Sequence, residues 1–72
     1  MKQVSIFVYG DLNDFLPFGV ALDPRMVADD VTVKCLFESL GVPHPEVGRV
    51  LVNNLEVDFD HLVQDGDRVA IY

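Results

Sequence analysis

The sequence predicts an α+β fold in which one mixed sheet of four to five strands packs on a single helix. Three observations carry that prediction. Residues 4–9, VSIFVY, and residues 68–72, RVAIY, are short runs rich in β-branched and aromatic side chains near the two ends of the chain. Between them, Val33, Leu36, Phe37 and Leu40 fall at i, i+3, i+4 and i+7, the apolar stripe of one amphipathic helix. In a chain of 72 residues, that stripe and the sheet have only each other to be buried against.

In the first strand Val4, Ile6 and Val8 share one face, and Ser5, Phe7 and Tyr9 share the other. Residues 10–19, GDLNDFLPFG, break the alternation with Gly, Asp, Asn and Pro. They read as a loop anchored by the buried apolar residues Leu12 and Phe15. Between residues 18 and 28, GVAL and RMVA are both strand fragments, separated by the turn signal Asp23-Pro24. One short second strand is expected here, in a hairpin with the first.

The helix is expected over residues 32–40. Thr32 is placed to cap it, because its hydroxyl accepts from a free backbone N–H. Asp29 and Asp30 lie just ahead, where the helix dipole favours negative charge. Gly41 takes the left-handed conformation that ends a helix, and Pro43 prevents resumption. Cys35 sits opposite the stripe, toward solvent. Residues 49–59, RVLVNNLEVDF, read as a strand, a turn at Asn53-Asn54 and a short strand. Residues 58–67, DFDHLVQDGD, read as a compact loop with room for one helical turn. The last strand places Val69 and Ile71 on one face. The order strand, strand, helix, strand, short strand, strand lets the terminal strands pair in parallel at the centre, linked through the helix. That is the β-grasp, or ubiquitin-like, arrangement, expected as a single domain over residues 1–72.

Composition narrows the chemistry. Half of the residues are hydrophobic, too many for a disordered chain. Five basic residues, Lys2, Arg25, Lys34, Arg49 and Arg68, stand against twelve acidic ones, for a net charge of −7. Scattered in this way, they do not make the cationic surface that a phosphate backbone requires. No direct nucleic-acid binding is expected, and the acid excess suits a basic protein partner. No apolar run approaches the ~20 residues that span a bilayer. The opening MKQVSIFVYGD lacks a cleavage signature and reads as a strand rather than a signal peptide. One cysteine, Cys35, excludes an intrachain disulfide and a four-cysteine iron–sulfur cluster, and fits a reducing, cytoplasmic setting. As a nucleophile Cys35 lacks a base nearby in sequence, and Asp29 and Asp30 oppose a thiolate. Asp58, Asp60, His61, Asp65 and Asp67 do not match a calcium loop and more simply make turns. His44, between Pro43 and Pro45, reads as a loop residue with a local hydrogen bond. No catalytic residue, metal ligand, cofactor or small-molecule substrate is expected.

Three segments carry a family resemblance: YGDLNDFLP (residues 9–17), LGVPHPEVGRVLVNNLEVDF (residues 40–59) and LVQDGDRVAIY (residues 62–72). Together they resemble the ubiquitin-like domain found ahead of the Mut-seven C-terminal ribonuclease domain in bacteria. The likeness covers roughly residues 4–16 and 31–72, and the combination of LNDFLP, GVPH and VQDGDRV is its most specific part. The DGD turn followed by a strand is also similar to the MoaD/ThiS sulfur carriers and the TGS domains. Three departures stand out: the stretch from Phe18 to Asp30, Asn54 where a turn glycine is usual, and Cys35 where an acidic residue is usual.

The resemblance implies a non-catalytic interaction module whose partner is a PIN-like ribonuclease domain of the Mut-seven C-terminal type, in the same chain or as a separate subunit. Two alternatives accompany it. One is a MoaD/ThiS-like sulfur carrier cut short before its Gly-Gly tail, since the sequence given closes on VAIY and presents no flexible glycines. The other is an acidic, antitoxin-like inhibitor of a ribonuclease. Strand alternation supplies the candidate surface. If Val4, Ile6, Val50, Val52, Val69 and Ile71 face the helix, then Phe7, Tyr9, Leu51, Ala70 and Tyr72 gather on the opposite side of the sheet. Arg49 and Arg68 edge this cluster. Aromatic residues with flanking arginines have the composition of a protein-binding hot spot.

Overall fold

The computed structural model describes residues 1–16 and 24–72. Along them run strands β1 (Lys2–Val8), β2 (Arg25–Val27), β3 (Val50–Val52), β4 (Leu55–Val57) and β5 (Arg68–Ile71), with helix α1 (Val33–Ser39) between β2 and β3. The strands form one sheet in the order β2-β1-β5-β3-β4. β1 and β5 pair in parallel at its centre, with Ile6 opposite Val69 and Phe7 opposite Ala70. The other neighbours are antiparallel. This is the β-grasp fold.

Local chemistry explains the helix and its limits. The Thr32 hydroxyl accepts from the Cys35 N–H at 3.2 Å. The Val33 and Lys34 N–H groups donate to the carbonyls of His61 and Phe59, at 2.9 and 3.0 Å. The donors that a helix start leaves unpaired are thus met by one side chain and by a neighbouring loop. At the other end Gly41 has φ +95°. Its N–H donates to the Glu38 carbonyl, and the Val42 N–H to the Phe37 carbonyl. These two bonds form the Schellman closure. A Cβ at Gly41 would stand 3.1 Å from the Phe15 carbonyl oxygen, so close packing as well as φ favours glycine.

The stripe Val33, Leu36, Phe37 and Leu40 is fully buried, with at most 2% of any of them exposed. It packs in one apolar cluster with Val4 and Ile6 of β1, Val50 and Val52 of β3, and Val69 and Ile71 of β5. Val8, expected to face the helix, is partly buried against this cluster. Cys35 is exposed, as its place opposite the stripe requires.

The structure refines one expectation, the second strand, and corrects others. β1 begins at Lys2, because Lys2 and Gln3 pair with Val27 and Met26 of β2, and it ends at Val8. The second strand is the RMV fragment, while GVAL lies outside the described residues. Gly10–Phe15 winds into a 3₁₀ helix instead of a loop. It starts at Gly10 with φ +66°, and the Asn13 side chain ties it down by donating to the Val8 and Gly10 carbonyls at 3.0 and 3.2 Å. Leu12 is buried there, but Phe15 is 40% exposed. A 3₁₀ helix eclipses residues three apart, so Phe15 lies about 6 Å further along the same side, past the edge of the core. Finally, residues 58–67 contain no helical turn. The Phe59 and His61 carbonyls serve the start of α1 and the Val63 N–H donates to the Val31 carbonyl, so the segment makes two tight turns, closed by His61 to Asp58 and Asp67 to Gln64, rather than a helical one. A second 3₁₀ turn, His44–Glu46, with proline in its first turn, was not foreseen.

Leu36 is 1% exposed and sits mid-stripe. Its replacement by Ala is expected to destabilise the protein by about 2–5 kcal/mol in urea unfolding, as for other large-to-small core changes. A loss below about 0.5 kcal/mol would contradict the burial of the stripe.

Candidate functional site

The side of the sheet away from α1 is built from three adjacent strands. Strand register sets Phe7 of β1, Ala70 of β5 and Leu51 of β3 in one row, with the small residue in the middle. Two residues along β5 in one direction stands Tyr72, and two in the other stands Arg68. Tyr9 follows β1 in line because its N–H donates to the Ile71 carbonyl at 2.9 Å. Tyr72 is held against Arg49: its N–H donates to the Arg49 carbonyl at 3.0 Å, and its own carbonyl accepts from Gly48 at 2.8 Å.

These placements bring the side chains into contact. The rings of Tyr9 and Tyr72 stack with centroids 4.6 Å apart and planes 7° apart. The Arg49 guanidinium carbon lies 5.1 Å from the Tyr72 ring centroid, and that of Arg68 lies 5.5 Å from the centroid of Phe7. Each exposed cation–π contact contributes about 0.5–1 kcal/mol, and a stacked pair about 0.5–1.5 kcal/mol beyond its buried area. Between them is a shallow concavity of about 180 Å³ with Ala70 at its floor, lined also by Phe7, Tyr9, Leu51, Arg68 and Tyr72. The structure thus brings the seven residues that alternation grouped onto one side of the sheet: six line the hollow, and Arg49 lies over the Tyr72 ring. Tyr9 and Tyr72 remain 45% and 40% exposed, whereas Phe7, Leu51 and Ala70 are half-buried among their neighbours.

Asn53 and Asn54 complete the lining; in sequence they mark a turn, and alternation along β3 sets Asn53 on the same side as Arg49 and Leu51. Both have positive φ, 52° and 71°, as a tight hairpin turn between β3 and β4 requires. The Asn53 side chain also donates to the Asp67 carboxylate at 3.0 Å and accepts from the Arg68 N–H at 3.0 Å. The other Asp67 oxygen accepts from the Gln64 N–H at 2.8 Å. Asp67, 7% exposed, is the one buried charged residue among those described. Nearby, the Asp65 carboxylate accepts from the Gln3 N–H and the Gly66 N–H donates to the Gln3 carbonyl, both at 2.7 Å. The QDGD segment is thus a fastener between β1, β3 and the start of β5. Its carboxylates are occupied by backbone and amide donors.

The remaining candidates lie elsewhere. Asp58, Asp60 and His61 border a separate open depression beside Glu56 and Val57. Among the described residues no group of three or more His, Cys, Asp or Glu is arranged to hold a metal ion. His44 packs its ring 5.0 Å from Phe59 and 6.4 Å from Phe37, measured between centroids. A further depression, outside the sequence reading, adjoins the hollow over Ala70 across the stacked tyrosines and is lined by Asp11, Leu12, Phe15 and Glu46. The threefold spacing of Leu12 and Phe15 was its only signal. No helix of the described residues is long and apolar enough to cross a membrane.

Comparison with known proteins follows the geometry. The model of the family described as Mut7-C ubiquitin matches residues 1–72. In the solved structures, the fold is similar to that of SAMP1 from Haloferax volcanii, with a TM-score of 0.68 and 18% sequence identity over 97% of this chain and 92% of that one. None of the curated proteins matches in sequence.

The Asn53 bridge yields a stability prediction. Asn53→Gly keeps the positive φ of the turn but removes both side-chain bonds. It is expected to cost about 1–3 kcal/mol in urea unfolding, because the buried Asp67 carboxylate loses a partner. An unchanged midpoint would show that the bridge adds nothing to the junction of β3 and β5.

Proposed function

The chain belongs to the Mut7-C ubiquitin family, and on that premise we propose that it is a non-catalytic protein-interaction module serving a ribonuclease domain. The partner would be of the PIN-like Mut-seven C-terminal type, linked in cis or bound in trans. The chain would act as one domain, in the cytoplasm, where a lone exposed thiol such as Cys35 stays reduced.

One observation carries this reading: the sheet gathers Phe7, Tyr9, Leu51 and Tyr72 around Ala70 and holds Arg49 and Arg68 stacked on the aromatic rings. Aromatic and arginine side chains dominate binding energy where they sit at the centre of a desolvated patch. Here they are already ordered by stacking, so little side-chain freedom remains to be lost on association. The same residues do little for the core, which lies on the opposite side of the sheet. Ubiquitin-like domains in general act through protein contacts, and this surface is suited to one.

The test is calorimetric titration of the protein with a Mut7-C-type ribonuclease domain. Phe7→Ser together with Leu51→Ser is expected to weaken binding by about 2 kcal/mol or more while leaving the fold intact, as judged by its amide NMR spectrum. Tyr9→Ser alone gives a second reading on a more exposed member of the face. Undiminished affinity in both variants would move the binding site off the sheet, and loss of the folded spectrum on changing Phe7 and Leu51 would show that they support the fold.

A further inference from the structure

The net charge of −7 points to a basic partner, but the hollow on the sheet face carries the opposite local charge. The hollow over Ala70 is lined by Arg68 and by no carboxylate. Arg49 extends the same face over Tyr72. Among the described residues neither guanidinium is in an ion pair; the ion pair found there joins the Met1 amino group to Asp29. The carboxylates bordering this face lie outside the hollow: Glu56 opposite Leu51 on the edge strand β4, and Asp11 and Glu46 in the depression beyond the stacked tyrosines. A guanidinium held over an aromatic ring still has N–H donors to offer a carboxylate. Resting on the sheet-face reading above, we propose that this face binds an extended acidic segment of its protein partner, with one apolar side chain seated over Ala70 and a carboxylate on each side of it meeting Arg49 and Arg68.

The spacing follows from the strands. Arg68 lies two residues before Ala70 on β5, and Arg49 pairs with Tyr72, two residues after it. Each arginine is therefore set off by about 7 Å along the strand. An extended segment projects residues i−2, i and i+2 to one side over the same distances. The matching pattern is acidic-x-apolar-x-acidic. Ala70 makes the hollow because Phe7 and Leu51 rise on either side of it in the same row. An apolar side chain entering there is surrounded by aromatic and aliphatic walls, and the arginines at its ends reject a basic segment.

Selection of a random peptide library displayed on phage against the immobilised protein, with depletion on Ala70→Leu, tests this without knowledge of the partner. The expected consensus is an apolar residue with Asp or Glu at the second position on both sides. Selected peptides should lose about tenfold or more in affinity for Ala70→Leu, which fills the hollow, and for the Arg49→Gln, Arg68→Gln double variant, which removes the charges but not the hollow. Enrichment of basic peptides that shift the amides of Phe7, Leu51 and Ala70 would overturn the acidic-segment proposal and leave the sheet-face reading standing. Peptides that shift only residues 58–67, or a library that yields no binder distinguishing wild type from Ala70→Leu, would overturn the proposal and count against the face as a docking site.

Discussion

The parallel pairing of β1 with β5 is the constraint on which the rest of the structure depends. Its register, Ile6 with Val69 and Phe7 with Ala70, assigns each residue of the two central strands to one side of the sheet. A slip by one residue would send Val69 and Ile71 outward and bring Arg68 and Ala70 against the helix. The QDGD loop prevents that slip. It joins Gln3 through the Asp65 carboxylate and the Gly66 N–H, and the Ser5 N–H donates to the Asp67 carbonyl at 3.0 Å. The Asn53–Asp67 bond carries the same control to β3. An acidic loop that reads in sequence only as a turn is therefore the part that sets the register.

With that register fixed, the sheet divides its labour between two faces. The inner face supplies stability, because Val4, Ile6, Val50, Val69 and Ile71 cover Leu36 and Phe37 and are excluded from water with them. The outer face contributes less to folding, and its aromatic rings stay partly wet. Their stacking with each other and with Arg49 and Arg68 limits the exposed area and fixes the rotamers. A face ordered in this way before any partner arrives is pre-organised for contact. Family membership and the physical character of the face thus support the same kind of work.

Much of this was legible in the sequence because it follows from period. Alternation in residues 4–9, 49–53 and 68–72, with the four-residue stripe of α1, was sufficient to give the sheet, the helix and the outer cluster. Thr32 and Gly41 marked the helix ends through capping chemistry that a single residue carries. What was hidden depended on distant partners. The 3₁₀ helix at Gly10–Phe15 is tied down by Asn13 bonding to carbonyls, and no periodic signal announces such bonds. Residues 58–67 could have held a helical turn, but the Phe59 and His61 carbonyls are taken by the start of α1, more than twenty positions earlier in sequence. Asn53 read as a turn residue, and its role beside Asp67 emerges only when β3 and β5 lie side by side. The hollow itself comes from the short methyl side chain of Ala70 between two large neighbours on other strands.

The central claim is that this register places a contact surface on the outer face of the sheet. Methyl cross-saturation in a complex of the unaltered protein with a Mut7-C-type ribonuclease domain measures it directly. Leu51 and Ala70 sit on that face, while Leu55 and Leu62 are exposed elsewhere, at 72% and 43%. The account predicts that saturating the partner attenuates the Leu51 and Ala70 methyl signals and spares those of Leu55 and Leu62. Attenuation of Leu55 and Leu62 with Leu51 and Ala70 untouched would contradict it.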